Sequence, residues 1–270
     1  MNLEKKTPAQ VKAPPLLPAK KKAQITAIFF VVLGFYIWSA YKTESTIPDL
    51  ISGLPDMQRV ISYFFPPNWE VVGQIFPSLA ETVQMAIIST TIAALISIPL
   101  CLLAASNITT NKFVYTVVRF CLNILRTIPD IVLAVVFVGL FGIGVLPGIL
   151  ALIIFSLGIL AKLISETIEA IDMNPLEAMK ASGAGSIQTI GFAVVPQVLP
   201  QYISLTLYVF EINIRASVVL GLVGAGGIGT ILNSLLNFRN FEAAMAVIVV
   251  IFVVVVVIEY ISKKLREALV

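Results

Sequence analysis

The sequence predicts an all-α, polytopic membrane protein with about six transmembrane helices. Three observations predict it. The 270-residue chain is 58% hydrophobic and only 12% charged, roughly half the charge of a soluble domain. Its mean hydropathy is +0.98. The apolar residues lie in continuous runs, several long enough for the roughly 20 helical residues a bilayer requires. Short alternating strands, the mark of a barrel, are not the pattern. No interval between the runs accommodates a soluble domain. The expected organisation is a basic tail, 1–22, followed by one transmembrane domain, 23–270.

The tail carries Lys5, Lys6, Lys12, Lys20, Lys21 and Lys22, and its Pro8, Pro14, Pro15 and Pro18 oppose a long helix. It is expected to be disordered and cytoplasmic. A basic segment before an apolar run also fits a signal peptide, but the run Ala23–Ala40 is long for one, and bulky Trp38 sits where cleavage after Ala40 needs a small residue. Phe35, Tyr36, Trp38 and Tyr41 fit an interfacial aromatic belt instead. The expected spans are Ala23–Tyr41, Leu79–Ala104, Phe113–Gly142, Pro147–Ile171, Ile190–Leu222 and Phe241–Ser262. Several exceed the minimum, so tilts and kinks are expected. Between the first two, Thr43–Ser78 is rich in proline with amphipathic pieces such as Met57–Phe65. It is expected to form one or two short helices on the outer surface.

Lys and Arg set the orientation. With the N-terminus inside, the inner segments receive the six tail lysines, Lys112, Lys180, Lys263, Lys264 and Arg266, and the outer ones only Lys42, Arg59 and Arg239. Both termini are therefore expected in the cytoplasm, as is the polar stretch 172–189. The chain has no His, which removes histidine acid–base and metal chemistry; Cys101 and Cys121 lie in apolar surroundings and are expected to be free thiols. No cluster suits a nucleophile, a general base or a metal. There is no G-x-x-x-x-G-K-[ST], so the chain lacks a P-loop for ATP. No cofactor and no catalytic residue are expected.

The fifth span carries a polar stripe. Gln197, Gln201, Ser204, Tyr208, Glu211 and Arg215 are spaced 4, 3, 4, 3, 4, so that first and last point the same way after about five helical turns. Such a face must meet protein or water rather than lipid. It fits a pathway lining; it also fits a structural pair, Glu211 with Arg215, gluing helices together. In the third span Arg119, Asn123, Arg126 and Asp130 are spaced 4, 3, 4, with Pro129 expected to kink the helix. Arg126 and Asp130 either pair with each other or exchange partners with Glu211 and Arg215. Lys162, Glu166 and Glu169 read as a solvated charged end of the fourth span. Five glycines crowd Gly221-Leu-Val-Gly224-Ala-Gly226-Gly227-Ile-Gly229. The formal G-x-G-x-x-G there lacks the soluble strand and the downstream acid of a dinucleotide site. A broken helix near an outer gate fits better, with close packing through small residues as the alternative.

The polar stretch Asp172–Ser186 holds Glu177-Ala178-Met179, then Gly183, with Pro196 opening the next apolar run. It resembles the "EAA" loop of membrane-spanning subunits of bacterial ABC importers. The departures are apolar for apolar: Met179 where the family favours a second Ala, Ala193 for Ile, Val195 for Leu. From about Leu79 onward the chain is similar to the permease subunit of phosphonate-type importers. The marks are Arg126-Thr-Ile-Pro-Asp130, Ala161-Lys162 with Glu166 and Glu169, Pro196-Gln197 with Pro200, Phe210-Glu211-Ile-Asn213-Ile-Arg215, and the glycine run.

The resemblance implies the type I importer permease fold and a subunit that forms the translocation pathway for phosphonates or related phosphorus oxyanions. It implies ATP hydrolysis on a separate dimer of ATPase subunits, delivery by an extracytoplasmic substrate-binding protein, and a second copy of this chain or a related permease. Nucleic acid is not among the expected partners. Glu177, Ala178 and Gly183 would couple to the ATPase. Arg126, Asp130, Gln197, Gln201, Ser204, Tyr208, Glu211 and Arg215 would line the pathway, and Gly224, Gly226, Gly227 and Gly229 would shape a gate. Another small solute (phosphite, methionine, a compatible solute) is the alternative within that class. An ion-driven secondary transporter and a membrane scaffold are the alternatives outside it.

Overall fold

The computed structural model describes residues 19–43 and 47–268. The proposed disorder of the tail falls almost wholly outside them. The chain divides into two units, Met1–Ser62 and Tyr63–Val270. The first contains α1 (Ala19–Lys42) and α2 (Ile47–Ser62). Helix α1 begins inside the expected tail, includes Lys20 to Lys22, and is apolar over a length that suits a bilayer.

The second unit is a helical bundle. Its elements are a 3-10 turn (Trp69–Val71), α3 (Val72–Leu103), α4 (Lys112–Thr127), α5 (Asp130–Phe141), α6 (Val145–Glu169), α7 (Asn174–Ala181), α8 (Ser186–Thr189), a π-helical turn (Ile190–Val194), α9 (Val195–Gly221), α10 (Ile228–Asn237) and α11 (Phe241–Glu267). Among the described residues of both units, α1 included, five helices are long and apolar enough to cross a membrane, six if α4 and α5 count as one broken span. Helix α3 starts at Val72, so the segment up to Ser78 belongs to this span and not to a surface helix.

Helices α3, α6 and α9 form the centre. Small residues recur on α3 at helical spacing: Ala86, Ser89, Ala93 and Ser97, all buried. Helix α6, which packs along α3, likewise buries Gly148, Ala151, Ser156 and Ala161. Small faces let backbones approach, which is how membrane helices gain packing contacts when lipid offers no hydrophobic contrast. Polar bonds stitch the trio. Asn213 of α9 donates from Nδ2 to Thr90 Oγ1 of α3 (2.8 Å) and to Ser156 Oγ of α6 (2.7 Å). Ser89 Oγ donates to the Ile149 carbonyl (3.2 Å) and Tyr202 Oη to that of Ala94 (2.8 Å). The outward surfaces keep large apolar side chains such as Phe252, Val253 and Val257 exposed, as a lipid-facing surface requires.

The third expected span is not a kinked helix. Helices α4 and α5 meet at 86° across Ile128-Pro129. Pro129 adopts an extended backbone and stands as the N-cap of α5 without a side-chain cap, so the chain restarts a new helix at Asp130. Helix α4 by contrast has a side-chain cap: Asn111 accepts from the Phe113 and Val114 amides.

Candidate functional site

Three regions contain the residues singled out by the sequence: the segment 172–189, the stripe on α9 that begins beside it, and the glycine run after α9.

The first is the segment 172–189. Pro175 opens α7, and buried Leu176 with half-buried Met179 anchors it on the core of α3, α6 and α9. Glu177, Ala178 and Lys180 stay exposed. The helix ends in a Schellman motif: the Ala184 amide donates to the Met179 carbonyl and the Gly183 amide to that of Lys180, both at 3.0 Å. Gly183 has φ +83°, a conformation glycine adopts without penalty. Beyond the turn, Ile187 is 87% exposed and Phe192 is 76% exposed. This end therefore shows one short helix with a polar outer face and two bare apolar side chains.

The charged end of α6 is not merely solvated. Glu169 accepts from Arg119 Nη2 (2.7 Å) and from the Ser106 amide (2.8 Å), pinning the 104–111 loop and α4 to α6. Arg119 also donates to the Tyr115 hydroxyl. Lys162 pairs with Glu166 at 2.9 Å.

The second region is the stripe on α9. Gln201 and Tyr208 are exposed, Ser204 is half-buried and Glu211 is buried. Tyr208 of α9 and Arg126 of α4 line a common groove whose floor is Phe155 and Ile159 of α6. The expected exchange of partners with Arg126 and Asp130 is not what occurs. Glu211 Oε1 accepts from Arg215 Nη2 (2.8 Å) and Oε2 from Arg266 Nη2 (3.1 Å). Among the described residues neither Arg126 nor Asp130 forms an ion pair. Glu211 is 8% exposed in its side chain, Arg266 23% and Arg215 49%. One buried carboxylate thus holds two guanidiniums, and the triad carries net charge +1, with Arg215 as its open side. Each guanidinium bonds a different oxygen, which satisfies the carboxylate as burial demands. Gln197 does not join this group. Its Oε1 accepts from the Asp172 amide (3.1 Å), and its Nε2 donates to the carbonyls of Asp172 (3.3 Å) and Ala193 (2.7 Å).

The glycine run breaks the helix and also packs closely. Gly224, Gly226 and Gly227 all have positive φ. A Cβ on Gly226 would lie 2.9 Å from Val145 Cα, and one on Gly227 2.6 Å from Thr82 Oγ1. Helix α10 starts at this break with its first amides bonded to α3: Gly227 N donates to Glu81 Oε2 (3.1 Å) and Ile228 N to Thr82 Oγ1 (2.8 Å). Glu81 thereby places a carboxylate at the positive end of α10. Gly229 is buried where α10 meets the end of α9.

Sequence reasoning missed Glu81, the Asn213 hub and the part played by Arg266. Glu81 lies within a proline-flanked apolar run and signals nothing by spacing. Arg266 reads as one of several inner-end cations. Asn213 sits between Glu211 and Arg215, off the stripe's register; its isolation in an apolar helix was the available signal.

Residues 97–267, well over half of the chain, match the family described as "Binding-protein-dependent transport system inner membrane component". The chain belongs to that family. A phosphate-import permease protein, PhnE, of Mycolicibacterium smegmatis is 42% identical over 196 residues, 73% of this chain but 37% of that protein. The chain therefore spans little more than a third of that relative. A phosphite transport system permease protein, PtxC, of Stutzerimonas stutzeri is 37% identical over 210 residues, 78% of this chain and 75% of that one. A cryptic phosphonate transport system permease protein, PhnE2, of Escherichia coli is 42% identical over 121 residues, 45% of this chain and 99% of that one. Among solved structures, a chain of the inward-facing MetNI methionine ABC transporter superposes with TM-score 0.67 at 22% identity, covering 75% of this chain and 99% of that chain. This likeness establishes the type I importer permease fold. As an inner membrane component of a binding-protein-dependent system, the chain is neither an ion-driven carrier nor a scaffold.

Proposed function

We propose that this inner membrane component forms the translocation pathway of an ATP-driven importer for phosphonates or related small phosphorus oxyanions. The observation that carries the reading is the triad: two guanidiniums against one buried carboxylate, with Arg215 half exposed. A phosphorus oxyanion carries one or two negative charges, and a guanidinium offers it two parallel hydrogen bonds. Glu211 competes for Arg215 and keeps the contact brief, since a pathway must release what it binds. Arg126 of α4 and Tyr208 of α9, sharing a groove, extend the polar surface beyond the triad. Relatives named for phosphate, phosphite and phosphonate support the same solute class.

In this reading the exposed face of α7, with Glu177, Ala178 and Gly183, seats in a separate ATPase subunit. Two such ATPases stand beneath two membrane subunits, this chain and a second copy or a related permease. A binding protein delivers solute from outside, at the end marked by the glycine break, and both termini lie in the cytoplasm of a bacterial inner membrane. The Lys and Arg asymmetry supports that orientation. Each half switches as a rigid body to alternate access.

Calorimetry of the cognate binding protein tests the solute class. Tight binding of a phosphonate, phosphite or phosphate is expected. Tight binding of methionine or a compatible solute, with none of those three, would refute it.

A further inference from the structure

Gln197 occupies the first turn of α9, between Pro196 and Pro200. Its amide is bound to backbone on both sides. The carbonyl accepts from the Asp172 amide, and the nitrogen donates to the Asp172 and Ala193 carbonyls, at 3.1, 3.3 and 2.7 Å. Both of its N–H groups are used, so it has none left for a passing solute. Asp172 is in turn fastened to α7, since its Oδ1 accepts from the Asn174 amide at 3.0 Å. A continuous line of hydrogen bonds therefore runs from α9 to the first turn of α7.

The covalent route between the same points is long, 25 residues from Asp172 to Gln197. It passes through α7, the turn at Gly183, the four-residue α8 and the π-helical turn Ile190–Val194. That last turn closes with the Val195 amide on the Ile190 carbonyl, five residues back. A π turn holds one residue more than an α turn and is a place where a helix can change register. Gln197 lies just past the π turn, and its amide ties that turn, at the Ala193 carbonyl, and Asp172 directly to α9.

We propose that Gln197 is a positioning residue that transmits displacement of α7 to α9, and so to Glu211 and Arg215, about 21 Å and about 27 Å further along the helix. The inference rests on the reading of α7 as the element that meets the ATPase. Leu176 and Met179 also pack on the core that α9 shares, and the amide adds directed hydrogen bonds to that packing, the kind of contiguous contact through which displacement can pass.

The test uses the full complex in liposomes, with its ATPase and its binding protein loaded with methylphosphonate. Gln197→Met keeps the side-chain length and removes the hydrogen bonds; Gln197→Ala removes both. In both variants the complex assembles and basal ATP hydrolysis persists. Stimulation by the loaded binding protein falls about tenfold and uptake falls with it, within the range of coupling free energies between sites. A role limited to folding would lower the amount of complex and leave stimulation per complex unchanged. Wild-type stimulation per complex in either variant overturns the proposal, and so does loss of both variants from the membrane. Gly183→Trp, which alters the far end of α7 and leaves Gln197 untouched, separates the two layers. If it abolishes stimulation while Gln197→Met does not, α7 couples and the amide does not transmit. If neither variant alters stimulation, α7 is not the coupling element.

Discussion

Replacing Arg215 by Gln should abolish uptake while leaving the protein in the membrane. The triad makes this separation possible. Glu211 has two partners, at 2.8 Å and 3.1 Å, and losing Arg215 still leaves its carboxylate on Arg266. Arg215 is 49% exposed in its side chain, so solvent screens much of what it contributes; the stability cost is at most about 1 kcal/mol. Glu211→Gln is a different perturbation. It strips the anion from two guanidiniums, one of them, Arg266, only 23% exposed. Breaking a buried pair from one side costs ~3–5 kcal/mol at the upper end, and partial exposure brings this toward ~2 kcal/mol. Membrane abundance should therefore fall in the order Arg215→Gln, then Glu211→Gln. The double variant should not recover, because Arg266 remains without its carboxylate; in a two-member pair it would. The assay is quantitative immunoblotting of membranes beside uptake of labelled methylphosphonate in the same cells. Full uptake by Arg215→Gln at normal abundance would refute the pathway role. Restored abundance in the double variant would refute the triad as the unit of stability.

Gly183→Trp should insert normally, since nothing lies within 4 Å of a Cβ there; forcing a non-glycine residue into this left-handed turn costs about 1–2 kcal/mol. Binding-protein-stimulated ATP hydrolysis should collapse, and stimulation at the wild-type level would remove α7 from the coupling path. In a background lacking Cys101 and Cys121, Asp56→Cys should react with an impermeant thiol reagent on intact cells and Lys180→Cys should not; the reverse pattern overturns the orientation. Gly227→Ala meets both a φ of +73° and Thr82 Oγ1. It should lower the thermal stability of the detergent-solubilised protein by roughly 2 kcal/mol, and an unchanged melting temperature would show that the break at α10 relaxes freely.

The spans were legible because bilayer-length apolar runs leave little choice of fold. The Schellman turn at Gly183 was legible in the glycine that follows Glu177 and Ala178. The bend at Pro129 was legible too, but its size, an 86° break into two helices, was not. Apolar residues continue on both sides of it, so hydropathy sees one run, and only Pro129 marks the restart. Among the stripe residues, the spacing was right about a shared helix face and uninformative about partners. Helical spacing relates neighbours on one helix. It cannot bring Arg266 to Glu211 across 55 residues or Glu81 to Gly227 across 146. Gln197 shows the same limit from the other side: it has the right phase for the stripe, yet backbone at Asp172 claims its amide.

The Asn213 hub bears on how the protein is made. Glu211, Asn213 and Arg215 fall within five residues of α9, and a charged residue at the centre of a lone helix resists entry into lipid by about 2.5–3.5 kcal/mol. Thr90 and Ser156, the partners of Asn213, belong to helices synthesised earlier; Arg266, the second partner of Glu211, emerges last. Helix α9 then gains a settled place in the membrane only after its predecessors have gathered to receive it. Its carboxylate waits for the C-terminal helix before its charges are fully accommodated, so a chain truncated ahead of α11 leaves the insertion of α9 unfinished.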